Sequence, residues 1–250
     1  MSLPDLPAPF LARPLAHRGL HGGDTPENSR AAFVVAMDGG YGIELDLQLS
    51  ADGQAMVFHD YDLARLTGHK GAIQTKTAAE LAALTLKNGE GIPTLAAVLA
   101  LVNARVPLLI EIKDQDGTLG PNVGKLEAAT AAALANYRGP VALMSFNPHA
   151  IYEMARIAPS IPRGLVTCDF KDDEWALTAP ARRAALAEIP DYGPTGSCFI
   201  SHDREDLSNP AVTLLRAAGC PVLCWTVRSP TQEKAARQVA HNITFEGYLA

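Results

Sequence analysis

Cysteine is scarce in this sequence, positive charge is in deficit, and long hydrophobic runs do not occur. Each shortage excludes something. The four cysteines, Cys168, Cys198, Cys220 and Cys224, lack the paired spacing of a zinc site and the density of a secreted disulfide scaffold. Reduced and mostly buried thiols are expected, with Cys198 and Cys224 inside apolar strand runs. No apolar run reaches the ~20 residues of a membrane span. The start, Met1 to Phe10, has neither a basic n-region nor an unbroken apolar core, which excludes an ordinary signal peptide. The expected location is therefore the cytoplasm, with no stable membrane anchor. A formal net charge of −6 argues against nucleic acid and anionic membranes as partners. Repeats, low-complexity segments and composition shifts are lacking too, so the chain reads as one domain over residues 1–250.

What is present fits a globular α/β protein. The 250 residues match the length of one (β/α)8 TIM barrel, and 48% hydrophobic with 19% charged residues is an ordinary composition that can bury a large core. Strand-like runs fall near 14–18, 42–49, 55–59, 107–113, 141–146, 163–167, 197–202, 221–227 and 242–248, with helix-like runs between most of them. Asn28 is placed to start a helix over Ala31 to Met37 that Gly39-Gly40 ends. Thr77-Ala78-Ala79-Glu80 reads as a capping box and Thr94 as a cap for Leu95 to Val102. Asn147-Pro148, Asn209-Pro210 and Ser229-Pro230 each place a cap before a proline suited to the first helical turn. Alternating strands and helices imply parallel pairing.

Nine runs exceed the eight strands of a barrel. Two solutions fit. Either the turn Ser50-Ala51-Asp52-Gly53 returns residues 55–59 along the preceding strand as a hairpin, bringing His59 near Asp46, or 55–59 is a barrel strand and the last run is a tail. The least regular stretch, about 60–92, reads as a small insertion above the barrel, after the His59 strand.

Chemistry concentrates in the first quarter. In Gly42 to Leu49 apolar and polar residues alternate, so Glu44 and Asp46 share one face of a strand. In Pro107 to Lys113, Glu111 and Lys113 share a face at the end of an apolar strand. Three carboxylates on strand ends are costly to bury unless paired or metal-bound. Together they offer hard oxygen ligands suited to Mg2+ or Ca2+, with Mn2+ as a further candidate, and not to Zn2+. A plain salt-bridge cluster with Lys113 or Arg18 is the competing reading. His17 and His59 can serve as general base and acid in either order, since imidazole as a side-chain type ordinarily titrates near neutral pH. Arg18 and Lys113 can hold a phosphate and neutralise its growing charge. Phe146 and Trp225 end strands as core or pocket wall. His21 lies in a glycine-rich loop beside these groups, whereas His69, His149, His202 and His241 are expected at the surface or in caps, and Lys70 and Lys76 in solvent.

The pieces come in a fixed order: Ala16-His17-Arg18-Gly19, Pro26-Glu27-Asn28-Ser29, Ile43-Glu44-Leu45-Asp46 with Ser50-Ala51-Asp52-Gly53, and Val57-Phe58-His59-Asp60 with Leu63 and Thr67-Gly68. Thr94-Leu95, Glu111-Ile112-Lys113, Ser145-Phe146 and Trp225-Thr226-Val227 follow. Over nearly the whole chain this ordered set resembles the glycerophosphodiester phosphodiesterase family. The resemblance implies a TIM barrel that hydrolyses glycerophosphodiesters to sn-glycerol 3-phosphate and an alcohol with one divalent cation. It implies His17 and His59 as the catalytic pair and Glu44, Asp46 and Glu111 as metal ligands. Arg18 and Lys113 become phosphate holders, Phe146 and Trp225 pocket wall, and Glu27 and Asn28 supporting or substrate-contacting groups. Either water or a neighbouring glycerol hydroxyl attacks first, the latter through a cyclic phosphate. Two rival readings stay open: a lysophospholipase D-type enzyme acting on single-chain lipids, and a non-catalytic barrel that binds phosphorylated ligands. The chain departs from the family pattern at Ser29, where threonine is usual, and in its closing segment Asn242 to Tyr248, whose loop contacts do not transfer.

Overall fold

The computed structural model describes residues 4–171 and 175–250. Eight parallel strands close on themselves: β1 (Leu15–Ala16), β2 (Gly42–Leu49), β4 (Leu108–Ile112), β5 (Val141–Ser145), β6 (Arg163–Thr167), β7 (Phe199–Asp203), β8 (Val222–Val227) and β9 (Asn242–Phe245), with β9 pairing back onto β1. The ninth strand, β3 (Ala55–Val57), runs antiparallel to β2 with Leu47 opposite Val57. The hairpin solution therefore holds, and the last run is the closing barrel strand, not a tail.

Short helices precede and connect these strands: α1 (Pro9–Ala12), α2 (Arg30–Asp38), α3 (Ala64–Thr67), α4 (Ala78–Ala83), α5 (Leu95–Val102), α6 (Lys125–Leu134), α7 (Pro148–Ile157), α8 (Pro180–Ala187), α9 (Pro210–Ala217) and α10 (Pro230–Ala236). Asn147, Asn209 and Ser229 cap α7, α9 and α10 with a proline at the first turn. Thr77 and Glu80 form the capping box of α4, and Thr94 caps α5. At α2 the expectation fails by one residue. Ser29 is the cap, its hydroxyl accepting from the Ala32 N–H at 3.1 Å. Asn28 sits at φ 55°, away from the extended conformation a cap adopts, and serves the barrel mouth instead.

Strand periodicity sorts the core into two layers. Ile43, Leu45 and Leu47 of β2, with Leu108, Ile110 and Ile112 of β4, face outward and join a cluster that includes Phe33 and Met37 of α2 and Leu95 and Val98 of α5. Leu15, Leu109, Ala142, Met144, Val166, Phe199 and Leu223 belong to a second cluster, with Leu6 and Phe10. On β2 and β4 the residues alternating with the outward set turn polar toward the C-terminal end, at Glu44, Asp46 and Glu111, all buried. The segment 60–92 packs Leu63, Ile73, Leu81, Leu86 and Ile92 with Met56 and Phe58 of the preceding strand run into a separate apolar cluster.

Two outer expectations need correction. His202 is fully buried, not at the surface, because on β7 it shares the helix-facing side with Ile200 and finds partners there: Thr167 Oγ1 at 2.7 Å and the Asp206 carbonyl at 3.0 Å. Cys198 is half-buried and precedes β7, while Cys168, Cys220 and Cys224 are buried.

Candidate active site and metal centre

Parallel register explains the carboxylate cluster. Asp46 on β2 lies beside Glu111 on β4, and Glu44 sits one inward position below Asp46. Glu44, Asp46 and Glu111 each bring a carboxylate oxygen to within 4.8 Å of the others. Lys113, the next same-face residue after Glu111, spans the gap, its Nζ 3.0 Å from Asp46 and 2.9 Å from Glu111. Burial is the largest influence on Glu44 and, with the charges of Asp46 and Glu111, lifts its carboxyl well above the usual range. At Asp46 burial acts in the same direction, but Lys113, His59 and Arg18 outweigh it and hold the group far below the ordinary value. The ion pairs of Lys113 match the salt-bridge alternative, and the three carboxylates converge as a cation site would require. The donor set fits a hard cation: three buried oxygens, one of them on a carboxyl that resists ionisation without further positive charge.

The turn after β1 fixes the cationic side. Arg18 and Gly19 take left-handed conformations, φ 55° and 80°. A Cβ on Gly19 would lie 2.8 Å from Ala32 Cβ, so glycine is what lets this turn pack on α2. The Arg18 N–H donates to Glu44 Oε2 at 3.0 Å, its guanidinium donates to Glu27 Oε1 at 2.7 Å, and its Nε lies 3.4 Å from Asp46 Oδ2. Asn28 donates from Nδ2 to the same Asp46 Oδ2 at 2.9 Å. Glu27 is reached also by Arg65 of α3 at 2.7 Å. Despite partial burial, these guanidinium contacts bring the Glu27 carboxyl down to about 2.

The two histidines flank the cluster, each backed by a carboxylate. His17 Nδ1–H donates to Glu246 Oε2 at 2.5 Å, while its Nε2 is 4.0 Å from Glu44. Burial lowers the His17 pKa, with Arg18 adding to the effect and Glu246 opposing it. His59 Nδ1 meets Asp60 Oδ1 at 2.8 Å, and Arg65 Nε holds the other Asp60 oxygen at 2.6 Å. Gln48 of β2 donates to the His59 carbonyl at 3.0 Å.

A cavity of about 610 Å3 joins these groups to an apolar wall. Phe146 packs edge-on to Trp225 at 5.5 Å between ring centres and against Trp175 at 4.7 Å. The Trp225 indole donates to the Ser201 carbonyl at 3.0 Å, which fixes the ring. Leu119 and Leu177 extend the wall outward. All eleven residues named from the sequence thus fall in one region, either lining the cavity or, for Asp46, Glu27 and Asn28, tied to residues that do. Sequence reasoning missed Glu246, Arg65, Trp175 and Leu177. Glu246 directly follows the closing strand, and residues at C-terminal strand ends of a barrel line its mouth. That signal was available for Glu246, but not for Arg65, which arrives from the 60–92 segment.

Comparison with known proteins identifies the family. Residues 17–244 match the model of the glycerophosphoryl diester phosphodiesterase family. A glycerophosphodiester phosphodiesterase of Bacillus altitudinis is 30% identical over 189 residues, 69% of this chain and 74% of that protein. One of Caldanaerobacter subterraneus subsp. tengcongensis is 34% identical over 161 residues, 61% of this chain and 65% of that protein. The structure of an Oleispira antarctica phosphodiesterase in complex with its product sn-glycerol-3-phosphate superposes with a TM-score of 0.76 at 25% identity, covering 96% of this chain and 94% of that one. Among the described residues no helix is long and apolar enough to cross a membrane. The match over most of its length assigns this chain to the glycerophosphoryl diester phosphodiesterase family, whose members are phosphoric diester hydrolases.

Proposed function

We infer that the chain hydrolyses glycerophosphodiesters to sn-glycerol 3-phosphate and an alcohol, with one divalent cation and two histidines. One observation carries the reading: three buried carboxylates converge between two imidazoles whose Nδ1 atoms are each held by a separate acid. Glu44, Asp46 and Glu111 would hold Mg2+ or Ca2+, and the ion would supply Lewis-acid polarisation of the phosphoryl group. Arg18 and Lys113 face the same space and neutralise charge on the non-bridging oxygens as it grows. His17 lies on the inner side, next to Glu44. With its Nδ1 proton committed to Glu246, its Nε2 carries the lone pair and accepts the proton of the attacking hydroxyl. His59, more exposed and beside the open mouth, donates a proton to the departing alkoxide and is oriented by Asp60. Glu27 and Asn28 act on the substrate indirectly by fixing Arg18 and Asp46.

The test is release of glycerol 3-phosphate from glycerophosphocholine. His17→Ala and His59→Ala are each expected to fold and to lose ~10²–10⁴ of turnover, the usual worth of a general acid or base. Removal of the cation with EDTA is expected to abolish turnover, and Mg2+ or Ca2+ to restore it. Near-parental rates in either variant, or full turnover in EDTA, would end this reading. The apolar wall of Trp175, Leu119 and Leu177 favours a second reading, a lysophospholipase D-type substrate with a single chain. A higher kcat/KM on lysophosphatidylcholine than on glycerophosphocholine would select it.

A further inference from the structure

His21 has no part in the scheme above, yet its ring ends among charged groups. Its Nε2 is buried without a hydrogen-bond partner among the described residues and lies 3.5 Å from Glu246 Oε2. The same carboxylate oxygen meets His17 Nδ1 at 2.5 Å. Nitrogens of His17 and His21 and an oxygen of Glu246 lie within 4.8 Å of one another.

We propose that His17, His21 and Glu246 form a second metal site, selective for Zn2+-class ions, whose occupation switches the enzyme off. The inhibitory half rests on the reading of His17 as the base; the site itself does not. Two imidazole nitrogens and one carboxylate oxygen make the donor set that zinc accepts with water as its fourth ligand. The neighbouring all-oxygen cluster suits hard cations instead, so the two sites sort ions by chemistry.

The geometry is close to what zinc requires. Bonds of ~2.1 Å in a tetrahedral array separate ligand atoms by about 3.4 Å. The His21–Glu246 pair already stands at 3.5 Å. The His17–Glu246 pair opens from 2.5 Å as the ion takes the place of the Nδ1 proton. Arg228 Nε holds Glu246 Oε1 at 2.7 Å, which leaves Oε2 as a single, oriented donor.

Inhibition follows from the tautomer. In the working state the His17 proton sits on Nδ1 and the lone pair on Nε2. An ion on Nδ1 moves that proton to Nε2 through solvent. The ring stays neutral, but the nitrogen that faces the reaction has no lone pair left to accept a proton.

Equilibrium dialysis of the full chain against Zn2+, with excess Mg2+ present, is expected to find Zn2+ bound, with glycerophosphocholine turnover falling as Zn2+ loads. His21→Gln should keep the parental turnover in the absence of Zn2+. It should weaken both Zn2+ binding and inhibition by about 10- to 100-fold, since even an outer-shell partner of a metal site is worth that much. Parental Zn2+ affinity in His21→Gln would overturn the site and place the ion elsewhere. His21-dependent binding without inhibition would overturn the switch. A near-normal rate for His17→Ala would then trace that failure to the base assignment and not to the metal site.

Discussion

Glu246 shows how one side chain can serve opposite ends. Its Oε2 fixes the His17 ring and its Oε1 accepts from Arg228, so the acid has one orientation and hands it to the imidazole. Glu246→Gln keeps the shape but presents an amide that can flip and donate, which frees His17 to take the other tautomer. The expected outcome is a fall in kcat of ~10²–10⁴ with KM little changed, by analogy with the loss of an orienting acid in a catalytic triad. Glu246→Asp should recover part of it. Steady-state kinetics on glycerophosphocholine separates this from a structural defect, which would move KM and stability as well. Asn28 is the opposite case: the residue type alone reads as a helix cap, and only its left-handed backbone releases its amide for Asp46.

The elements divide by how local their causes are. Caps are short-range: Thr77 with Glu80, Thr94, and the proline-started α7, α9 and α10 stand where the sequence puts them. At α2 the cap is one residue on, at Ser29. Ser29→Ala is therefore expected to cost about 1 kcal/mol of stability, measured by urea unfolding, and to lower turnover too, since α2 backs the Arg18-Gly19 turn. An unchanged unfolding midpoint would deny Ser29 that role. The hairpin of β2 and β3 is longer-range. Local pattern favoured the hairpin but left the alternative open, and closure decided between them, because a barrel needs β9 to satisfy the free edges of β8 and β1.

At the scale of the molecule, ion pairs tie the 60–92 segment to the barrel mouth. Arg65 bridges Glu27 and Asp60, and it helps hold both carboxyls below their usual values, Glu27 at about 2. Carboxylates with depressed folded-state pKa values bind fewer protons folded than unfolded. Their contribution is complete above the unfolded value of 4.5 for glutamate and is lost as pH falls through the folded one. Thermal melts should therefore show Tm dropping from about pH 4.5 down toward about pH 2. Arg65→Ala should be less stable than the parent near neutrality and converge with it at the acid end; parallel curves would remove these pairs from the acid response. The sequence by itself determined the strand and helix order and the barrel class and pointed to eleven candidate site residues, because periodicity, caps and the ordered family motifs are all local signals. Tertiary structure decided the register that sets Asp46 beside Glu111, the position of Lys113 between them, and the arrival of Glu246 at His17 and of Arg65 at Asp60 and Glu27. Those contacts join residues up to 229 positions apart, and closure of the barrel, which no single segment encodes, is what brings them together.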